Sequence, residues 1–190
     1  MALPFATPLM ATTSCASIAS NLVVNCGFES GDLSGWTTTP PGYEGQYYGV
    51  DSFDANVGSY GAYLAGQTSD VYLSQNVPTA AGASYTLSFA VAHPDVNYAP
   101  YTNDFNVLAD GNLLYSESEQ VFGYTDFSFD FTATSASTSI AFGAFDPLGF
   151  FSLDDVSVSA TPEPSTFALS VPVFLAGALL FLRRRTLSIQ

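Results

Sequence analysis

Residues 84–91 read SYTLSFAV, and every second residue of this stretch is bulky and apolar. Side chains of a β-strand alternate between its two faces, so the stretch predicts a strand with one buried face and one more polar face. Residues 126–131, DFSFDF, repeat the pattern with three phenylalanines separated by polar residues. Neither stretch has the spacing of three to four residues that an amphipathic helix requires. We therefore expect antiparallel strands.

Short strands of the same kind are predicted on both sides of these two stretches. Asp110 and Gly111 lie between two apolar segments. This pair favours a tight hairpin, because glycine tolerates the positive φ that the turn requires. About nine strands over residues 20–160, without helical periodicity, predict an all-β domain of two packed antiparallel sheets. The further strands are expected at residues 21–25, 46–53, 61–65, 71–77, 137–144 and 150–158.

The charge of the chain excludes several classes of function. Its 190 residues include 17 acidic and 3 basic ones, and the basic ones are Arg183, Arg184 and Arg185. Because residues 1–182 contain no lysine or arginine, the domain cannot neutralise phosphates, which excludes binding to nucleic acid. For the same reason we expect no internal salt bridge in the domain. His93 is the single histidine, and we expect it to end a strand rather than to act in catalysis.

The C-terminal segment, residues 161–190, has the organisation of a sorting signal. Residues 167–182 are uncharged and apolar, and a helix of this length rises about 24 Å, which suffices for a short transmembrane helix with flanking arginines. Pro162, Glu163 and Pro164 precede this helix, and Arg183, Arg184 and Arg185 follow it. This order resembles the PEP-CTERM sorting signal. The alternative is an ordinary single-pass membrane anchor.

The resemblance to PEP-CTERM tails implies a partner and a route. The partner is an exosortase, a membrane transpeptidase-like enzyme that acts near the proline-containing motif. The route is export as a precursor anchored in the inner membrane, followed by delivery to the cell surface or the extracellular matrix. The arginines are expected on the cytoplasmic side, so that the β domain faces outward.

The N-terminal residues 1–19 are expected to form a signal peptide, although no basic residue precedes their apolar stretch. A cut after Ala19 fits the preference for small residues, and cuts after Ala11 or Ala16 also fit it. The choice between them determines the state of the cysteines. A cut before Cys15 lets it pair with Cys26 in an oxidising compartment, whereas a cut after Ala19 leaves Cys26 as a lone thiol.

The two ends of the β domain and its middle resemble a known group of folds. Residues 21–36 and 150–158 are similar to the opening and the closing strand of galactose-binding-domain-like jelly rolls, which include many carbohydrate-binding modules. Residues 73–75 and 85–89 resemble the middle of these domains. The resemblance covers residues 21–159 and implies a two-sheet jelly-roll sandwich. It implies less about the ligand, because one fold serves many functions.

The pair Asp154-Asp155 interrupts the alternation of the last strand. Leu153 and Val156 are both expected on the buried face, so the alternation slips at the aspartates, as it does at a β-bulge. One carboxylate then turns inward and needs a metal or several backbone N–H groups. The resemblance places the first and last strands side by side and implies a structural Ca²⁺ bound by Glu29 and Asp155. The alternative is a solvated acidic pair.

Two tyrosine-rich segments are the candidates for a carbohydrate site, because sugars stack on aromatic rings and are recognised by amide and carboxylate groups. The alternative is that these tyrosines pack beneath long connections. Trp36 is expected in the core, since a lone tryptophan is usually buried. The candidate ligand-binding residues are Tyr43, Tyr47, Tyr98, Tyr101 and Asn103.

Together these features predict an exported protein of the cell surface or the exopolysaccharide matrix, with a non-catalytic domain that binds carbohydrate. A purely structural or adhesive surface protein without a sugar site is the first alternative. A polysaccharide hydrolase is the second, although no pair of carboxylates is singled out by its spacing.

Overall fold

The computed structural model describes residues 14–94, 103–118 and 120–161. A short 3₁₀ helix, Cys15–Ser17, precedes ten β-strands. The predicted tail helix, residues 167–182, lies outside the described residues, and within them no helix has the length and apolarity to cross a membrane. The strands are Thr37–Thr39 (β1), Tyr48–Asp51 (β2), Gly61–Leu64 (β3), Val71–Pro78 (β4), Ser84–His93 (β5), Asp104–Ala109 (β6), Asn112–Ser118 (β7), Phe122–Thr132 (β8), Ser137–Phe145 (β9) and Phe151–Ala160 (β10).

The strands form two five-stranded sheets. Sheet A has the order β1-β4-β9-β6-β7, sheet B has the order β2-β3-β10-β5-β8, and all neighbours are antiparallel. Consecutive strands often belong to different sheets, which is the arrangement of a jelly roll. The predicted all-β jelly-roll sandwich is confirmed.

The inward faces of the two sheets meet in an aromatic core. Phe89 of sheet B contacts Phe142 of sheet A, with 5.2 Å between the ring centroids. Trp36 stacks on Phe28 and is 9% exposed, and its Nε1 donates to the carbonyl of Asn25. The prediction that Trp36 belongs to the core is confirmed. Burial of such side chains supplies most of the favourable free energy of folding.

Two details of the predicted strands are wrong. Residues 21–25 are not a strand, and Asn25 adopts a positive φ of 50°, which interrupts an extended conformation. The segment nevertheless lies along β10, since Leu22 N donates to Val158 O and Val156 N donates to Cys26 O. Conversely, β1 was not expected, because its three threonines carry no alternating pattern.

The N-terminal segment is tied to the sandwich by a disulfide bond. Cys15 and Cys26 are bonded, and Cys15 is 1% exposed. The backbone N–H of Cys15 also donates to Oδ1 of Asp155 at 3.0 Å. Of the two states of the cysteines left open by the sequence, the structure has the bonded one, which a cut after Ala11 preserves and a cut after Ala19 would remove. The cleavage position itself stays a prediction.

Five connections between the sheets leave from the same end of the sandwich, here called the loop end. Here β2 begins beside the end of β3, and β3 ends beside the start of β10. β5 ends and β6 begins at this end as well, and the first tyrosine-rich segment, which directly precedes β2, lies here.

The connection between β2 and β3, residues 52–60, crosses the outer face of sheet B and is here called the strap. Ser152 of β10 donates to Asp54 in the strap at 2.5 Å, and the hydroxyl of Tyr124 in β8 donates to the Asp54 carbonyl. The strap begins so close to β3 that a Cβ on Gly61 would lie 1.7 Å from the carbonyl oxygen of Asp54. Only glycine fits there.

Candidate functional site

The structure brings two of the predicted ligand-binding residues together. The rings of Tyr43 and Tyr47 lie 4.9 Å apart on the connection between β1 and β2, and Tyr43 is 40% exposed. Tyr48, the first residue of β2, is instead buried, and its hydroxyl donates to Pro40 O. The first tyrosine segment therefore has one pair of rings available to a ligand.

The second predicted segment is described only in part. Tyr98 and Tyr101 lie outside the described residues. Asn103 directly precedes β6 and is 5% exposed, and its side-chain oxygen has no hydrogen-bond partner in the described part of the chain. Asn103 stands before a strand of sheet A, whereas Tyr43 and Tyr47 stand before the edge strand of sheet B.

A pocket not predicted from the sequence lies next to the Tyr43–Tyr47 segment. This aromatic pocket has a volume of about 270 Å³. Its floor is Tyr63, which points outward from β3 between the buried Ala62 and Leu64 and lies over Gly49. Phe150 stands edge-on to Tyr63 at 5.3 Å, and Phe53 of the strap is 94% exposed. The lining residues are Gly45, Asp51, Phe53, Asp54, Tyr63 and Phe150.

Two carboxylates of the aromatic pocket keep an oxygen available. Oδ1 of Asp51 accepts from the Phe53 N–H at 2.8 Å, and Oδ1 of Asp54 accepts from the Ser152 hydroxyl. Within the described residues, the second oxygen of each accepts no hydrogen bond. The pKa of Asp54 is raised, first by burial and then by the charge of Asp51, although the Ser152 hydrogen bond opposes this. The pocket thus combines aromatic surface with polar acceptors.

The predicted metal ligands, Glu29 and Asp155, line a second cavity of about 400 Å³ beside the disulfide. The Glu29 carboxylate accepts from the backbone N–H groups of Ser59 and Tyr60. Asp155 accepts from Cys15 N and from the amide of Asn56. Its pKa is raised by burial and by the negative charge of Glu29, while these hydrogen bonds lower it.

The slip of alternation at the aspartates is confirmed. The register of β10 against β5 shifts between Asp154 and Ser157, and Asp155 has a positive φ of 54°. Asp154 is the fully buried carboxylate, but it does not turn toward the core as expected: it lies on the outer face of sheet B, opposite the face of Leu153, and the strap covers it. It accepts three backbone N–H groups, from Asn56 at 2.8 Å, Val57 at 3.1 Å and Asp155 at 2.7 Å. Of the two solutions expected for a buried carboxylate, the structure uses the backbone for Asp154.

His93 ends β5, as expected, but it has a partner that the sequence did not reveal. Its Nε2 lies 2.6 Å from Oδ2 of Asp146, and its Nδ1 lies 2.7 Å from the carbonyl of Gln120. Burial raises the pKa of Asp146, but hydrogen bonds from His93, Leu148 N and Gly149 N outweigh this and lower it. The expectation that the domain has no internal ion pair is therefore wrong, because the one histidine meets a carboxylate 53 residues away in sequence.

Solved structures of similar fold include TmCBM61, determined in complex with β-1,4-galactotriose. It has 19% sequence identity, a TM-score of 0.58, and coverage of 75% of this chain and 100% of that chain. The fold is the jelly roll of carbohydrate-binding modules. The K1 cleaved adhesin domain of Lys-gingipain from Porphyromonas gingivalis W83 has 18% identity, a TM-score of 0.56, and coverage of 72% of this chain and 96% of that chain.

A third similar structure contains an enzyme. The CBM22-1–GH10 modules of Clostridium thermocellum xylanase 10B, complexed with xylohexaose, have 17% identity and a TM-score of 0.54, with coverage of 76% of this chain and 29% of that chain. No family model and no curated protein matches this chain. At these identities the likeness concerns the fold, and function must be argued from the site.

The aromatic pocket escaped sequence reasoning because its members lie far apart in the chain. Tyr63 carried one available signal, since it is the outward residue of the predicted strand 61–65 and is aromatic rather than polar. Phe53 and Phe150 stand at the ends of two predicted strands, where an aromatic residue has no obvious face. Only the path of the strap brings them to the same pocket.

Proposed function

We propose that this protein is an exported surface or matrix protein whose non-catalytic sandwich binds carbohydrate at the aromatic pocket. The observation that carries the proposal is the exposure of Phe53 and Phe150 beside Tyr63, next to two carboxylates with an open oxygen. An exposed aromatic group costs free energy in water, so several of them around one cavity favour a binding site. The fold, shared with carbohydrate-binding modules, supports the same function.

The pocket provides the two kinds of contact that a sugar needs. The apolar face of a pyranose ring packs on an aromatic side chain, and Phe53 and Phe150 offer such surfaces. Hydroxyl groups donate to carboxylates, and Asp51 and Asp54 have the acceptors. Tyr43 and Tyr47 lie on the same connection as Gly45, so they extend the site for a longer chain. Tyr98, Tyr101 and Asn103 stay predicted contributors from the second segment.

A glycan array with the full-length protein tests the proposal. We expect selective binding that falls at least tenfold in the Phe53→Ala and Tyr63→Ala variants. Leu113→Ala is the matched control, because Leu113 is a 57% exposed apolar side chain beside the β6–β7 hairpin, at the other end of the sandwich. If no glycan binds, or if Leu113→Ala weakens binding as much as Phe53→Ala, the carbohydrate site is refuted and a purely structural or adhesive role is favoured.

The destination of the protein is a separate part of the proposal. We propose that the tail, residues 161–190, directs the precursor to an exosortase through Pro162, Glu163 and Pro164, after its helix 167–182 and Arg183, Arg184 and Arg185 have anchored it in the inner membrane. Mass spectrometry of the extracellular form is then expected to lack residues 167–190. Recovery of the intact C-terminal peptide from that form would leave only the anchoring role.

A structural Ca²⁺ at Glu29 and Asp155 is also proposed. The two carboxylates line one cavity, and the pKa of Asp155 is raised first by burial and then by the charge of Glu29, so a cation there would relieve the repulsion. Each oxygen has two lone pairs and can accept an N–H group and a metal together. No group of three or more His, Cys, Asp or Glu side chains is placed to hold a metal within the described residues, so backbone carbonyls would have to complete the coordination.

Thermal unfolding distinguishes a bound ion from general charge screening. Ca²⁺ at a hundredfold excess over its Kd is expected to stabilise the folded state by about 2.7 kcal/mol. Mg²⁺ at the same ionic strength screens the acidic charges equally, but it binds weakly to a flexible site with many carbonyl ligands. We expect Ca²⁺ to stabilise more than Mg²⁺, and Asp155→Ala and Glu29→Ala to abolish the difference. Equal effects of both ions on the native chain would eliminate the site.

A further inference from the structure

The aromatic pocket is unusual in its electrostatics as well as in its shape. The pKa of the Tyr63 hydroxyl is raised by burial and then by the negative charges of Asp51, Asp54 and Glu44. Three acidic side chains therefore act on the floor of one small cavity. The hydroxyl groups of a neutral sugar can donate to these carboxylates, but they do not compensate the negative charge.

No cation of the domain compensates this charge. Residues 1–182 contain no lysine or arginine, and the single histidine, His93, is engaged with Asp146. The Asp51 and Asp54 carboxylates line the cavity, and each uses one oxygen within the protein, while the other oxygen has no donor among the described residues. A negatively charged polysaccharide would be repelled here, whereas a positively charged ligand would be attracted.

The aromatic walls favour the same kind of ligand. Phe53, Tyr63 and Phe150 surround the cavity, and a cation near an aromatic face is attracted by the negative potential of the ring. The same faces stack on the apolar side of a sugar ring. An ammonium group carried on a pyranose ring would satisfy the carboxylates and the aromatic side chains together.

We infer that the aromatic pocket binds a polysaccharide of amino sugars, such as de-N-acetylated hexosamine, and that Asp51 and Asp54 recognise the ammonium group. This inference rests on the proposed carbohydrate-binding function and specifies its ligand class. The ammonium group donates to the open oxygens of the two carboxylates, and Phe53 and Phe150 contact the ring. N-acetylation removes the charge and adds bulk, so it opposes binding.

Isothermal titration of the full-length protein tests the inference with two ligands of equal length. These are a β-1,4-linked glucosamine hexamer and its fully N-acetylated counterpart, both at pH 6. We expect the glucosamine hexamer to bind at least tenfold more tightly. Asp51→Asn and Asp54→Asn are expected to remove most of this preference. Phe53→Ala is expected to weaken the binding of both hexamers without unfolding the domain, since this side chain is 94% exposed.

Asp130→Asn is the matched control for net charge. Asp130 lies on β8 opposite Thr86, away from the pocket, and its replacement removes one negative charge as Asp54→Asn does. If Asp130→Asn reduces the affinity for the glucosamine hexamer as much as Asp54→Asn, the attraction is general and the inference fails. It also fails if a hexalysine peptide binds as tightly as the glucosamine hexamer, because the pocket then reads an ammonium group regardless of the sugar.

The failure of this inference is distinguishable from failure of the proposed function. Suppose that the N-acetylated hexamer or a neutral glycan of the array binds at least as tightly as the glucosamine hexamer, and that Phe53→Ala abolishes this binding. The carbohydrate site then stands and the amino-sugar assignment is overturned. If neither hexamer nor any arrayed glycan binds, both are overturned.

Discussion

The strap contacts carboxylates at two places, Asp154 in one and the pair Asp51 and Asp54 in the other. The domain has no lysine or arginine to neutralise them, and the two places differ in what the carboxylates bind instead. Asp154 lies beneath the strap, is fully buried, and is satisfied by three backbone N–H groups. Asp51 ends β2 and Asp54 lies near the start of the strap, and each directs only one oxygen to a donor within the described residues. An acidic domain can thus use backbone donors to hold a carboxylate that serves the structure. A carboxylate with an open oxygen is available to a ligand.

The largest effect is expected from Gly61→Ala, because it displaces the strap and so disturbs both Asp154 and the pair Asp51 and Asp54. A Cβ at this position would lie 1.7 Å from the Asp54 carbonyl, so the strap must move away from β3. We expect a loss of about 3 kcal/mol in the free energy of unfolding, measured with urea, together with loss of glycan binding. Gly123→Ala is the matched control, because a Cβ there meets nothing within 4 Å. An equal effect of the two variants would show that the strap does not depend on this close approach.

The next effect concerns Asp154 and pH. Burial and the charge of Asp155 raise its pKa to about 7 from 3.8, although the backbone N–H groups oppose the shift. Because the folded state holds the proton more tightly than the unfolded chain, this contribution to stability is complete below about pH 4 and is lost as the pH rises through 7. We expect it to amount to a few kcal/mol, since each pH unit of such a shift corresponds to about 1.4 kcal/mol.

The contribution of Asp154 is isolated by comparing unfolding curves of the native chain and Asp154→Asn between pH 4 and 8. Mutual repulsion of the other acidic groups also lowers stability as pH rises, but it is common to both proteins. The difference between the two curves is therefore expected to change with pH in the window from 4 to 7. A constant difference would mean that Asp154 is ionised throughout, with the three backbone N–H groups dominating over burial.

A smaller effect is expected from Ser152→Ala, which acts on the open carboxylates. Loss of the Ser152 hydroxyl removes the hydrogen bond that lowers the pKa of Asp54, so the pKa should rise further. The cost in stability is expected to be about 1 kcal/mol. NMR titration of the Asp54 carboxyl carbon measures the shift, with Asp130 as the internal reference. An unchanged titration of Asp54 would contradict the role given to Ser152.

The smallest effect on stability is expected from Phe53→Ala. Since Phe53 is 94% exposed, its removal should change the free energy of unfolding by no more than about 0.5 kcal/mol. Phe151→Ala, next to the pocket residue Phe150 but fully buried, should cost about 3–5 kcal/mol. If Phe53→Ala destabilises the domain as much as Phe151→Ala, Phe53 has a structural role, and the distinction between residues that stabilise the fold and residues available to a ligand fails.

The amino-acid sequence alone determined the class of the fold, because alternation of apolar residues depends on neighbours in the chain. The alternation in residues 84–91 and 126–131 predicted β5 and β8. The pair Asp110-Gly111 predicted the hairpin between β6 and β7, and Trp36 was predicted to lie in the core. The slip at Asp154-Asp155 was also visible, since a break in a two-residue period is a local event. Charge likewise needed no structure, because it is a property of composition.

Tertiary structure decided what depends on the path of the chain between strands. The choice of Asp154 rather than Asp155 as the buried carboxylate follows from the strap, whose N–H groups arrive from residues 56 and 57. The pair His93–Asp146 and the pocket of Phe53, Tyr63 and Phe150 join residues far apart in sequence. Periodicity reports which face of a strand a side chain occupies. It carries no information on which loop covers that face, because loop paths are set by packing against distant elements.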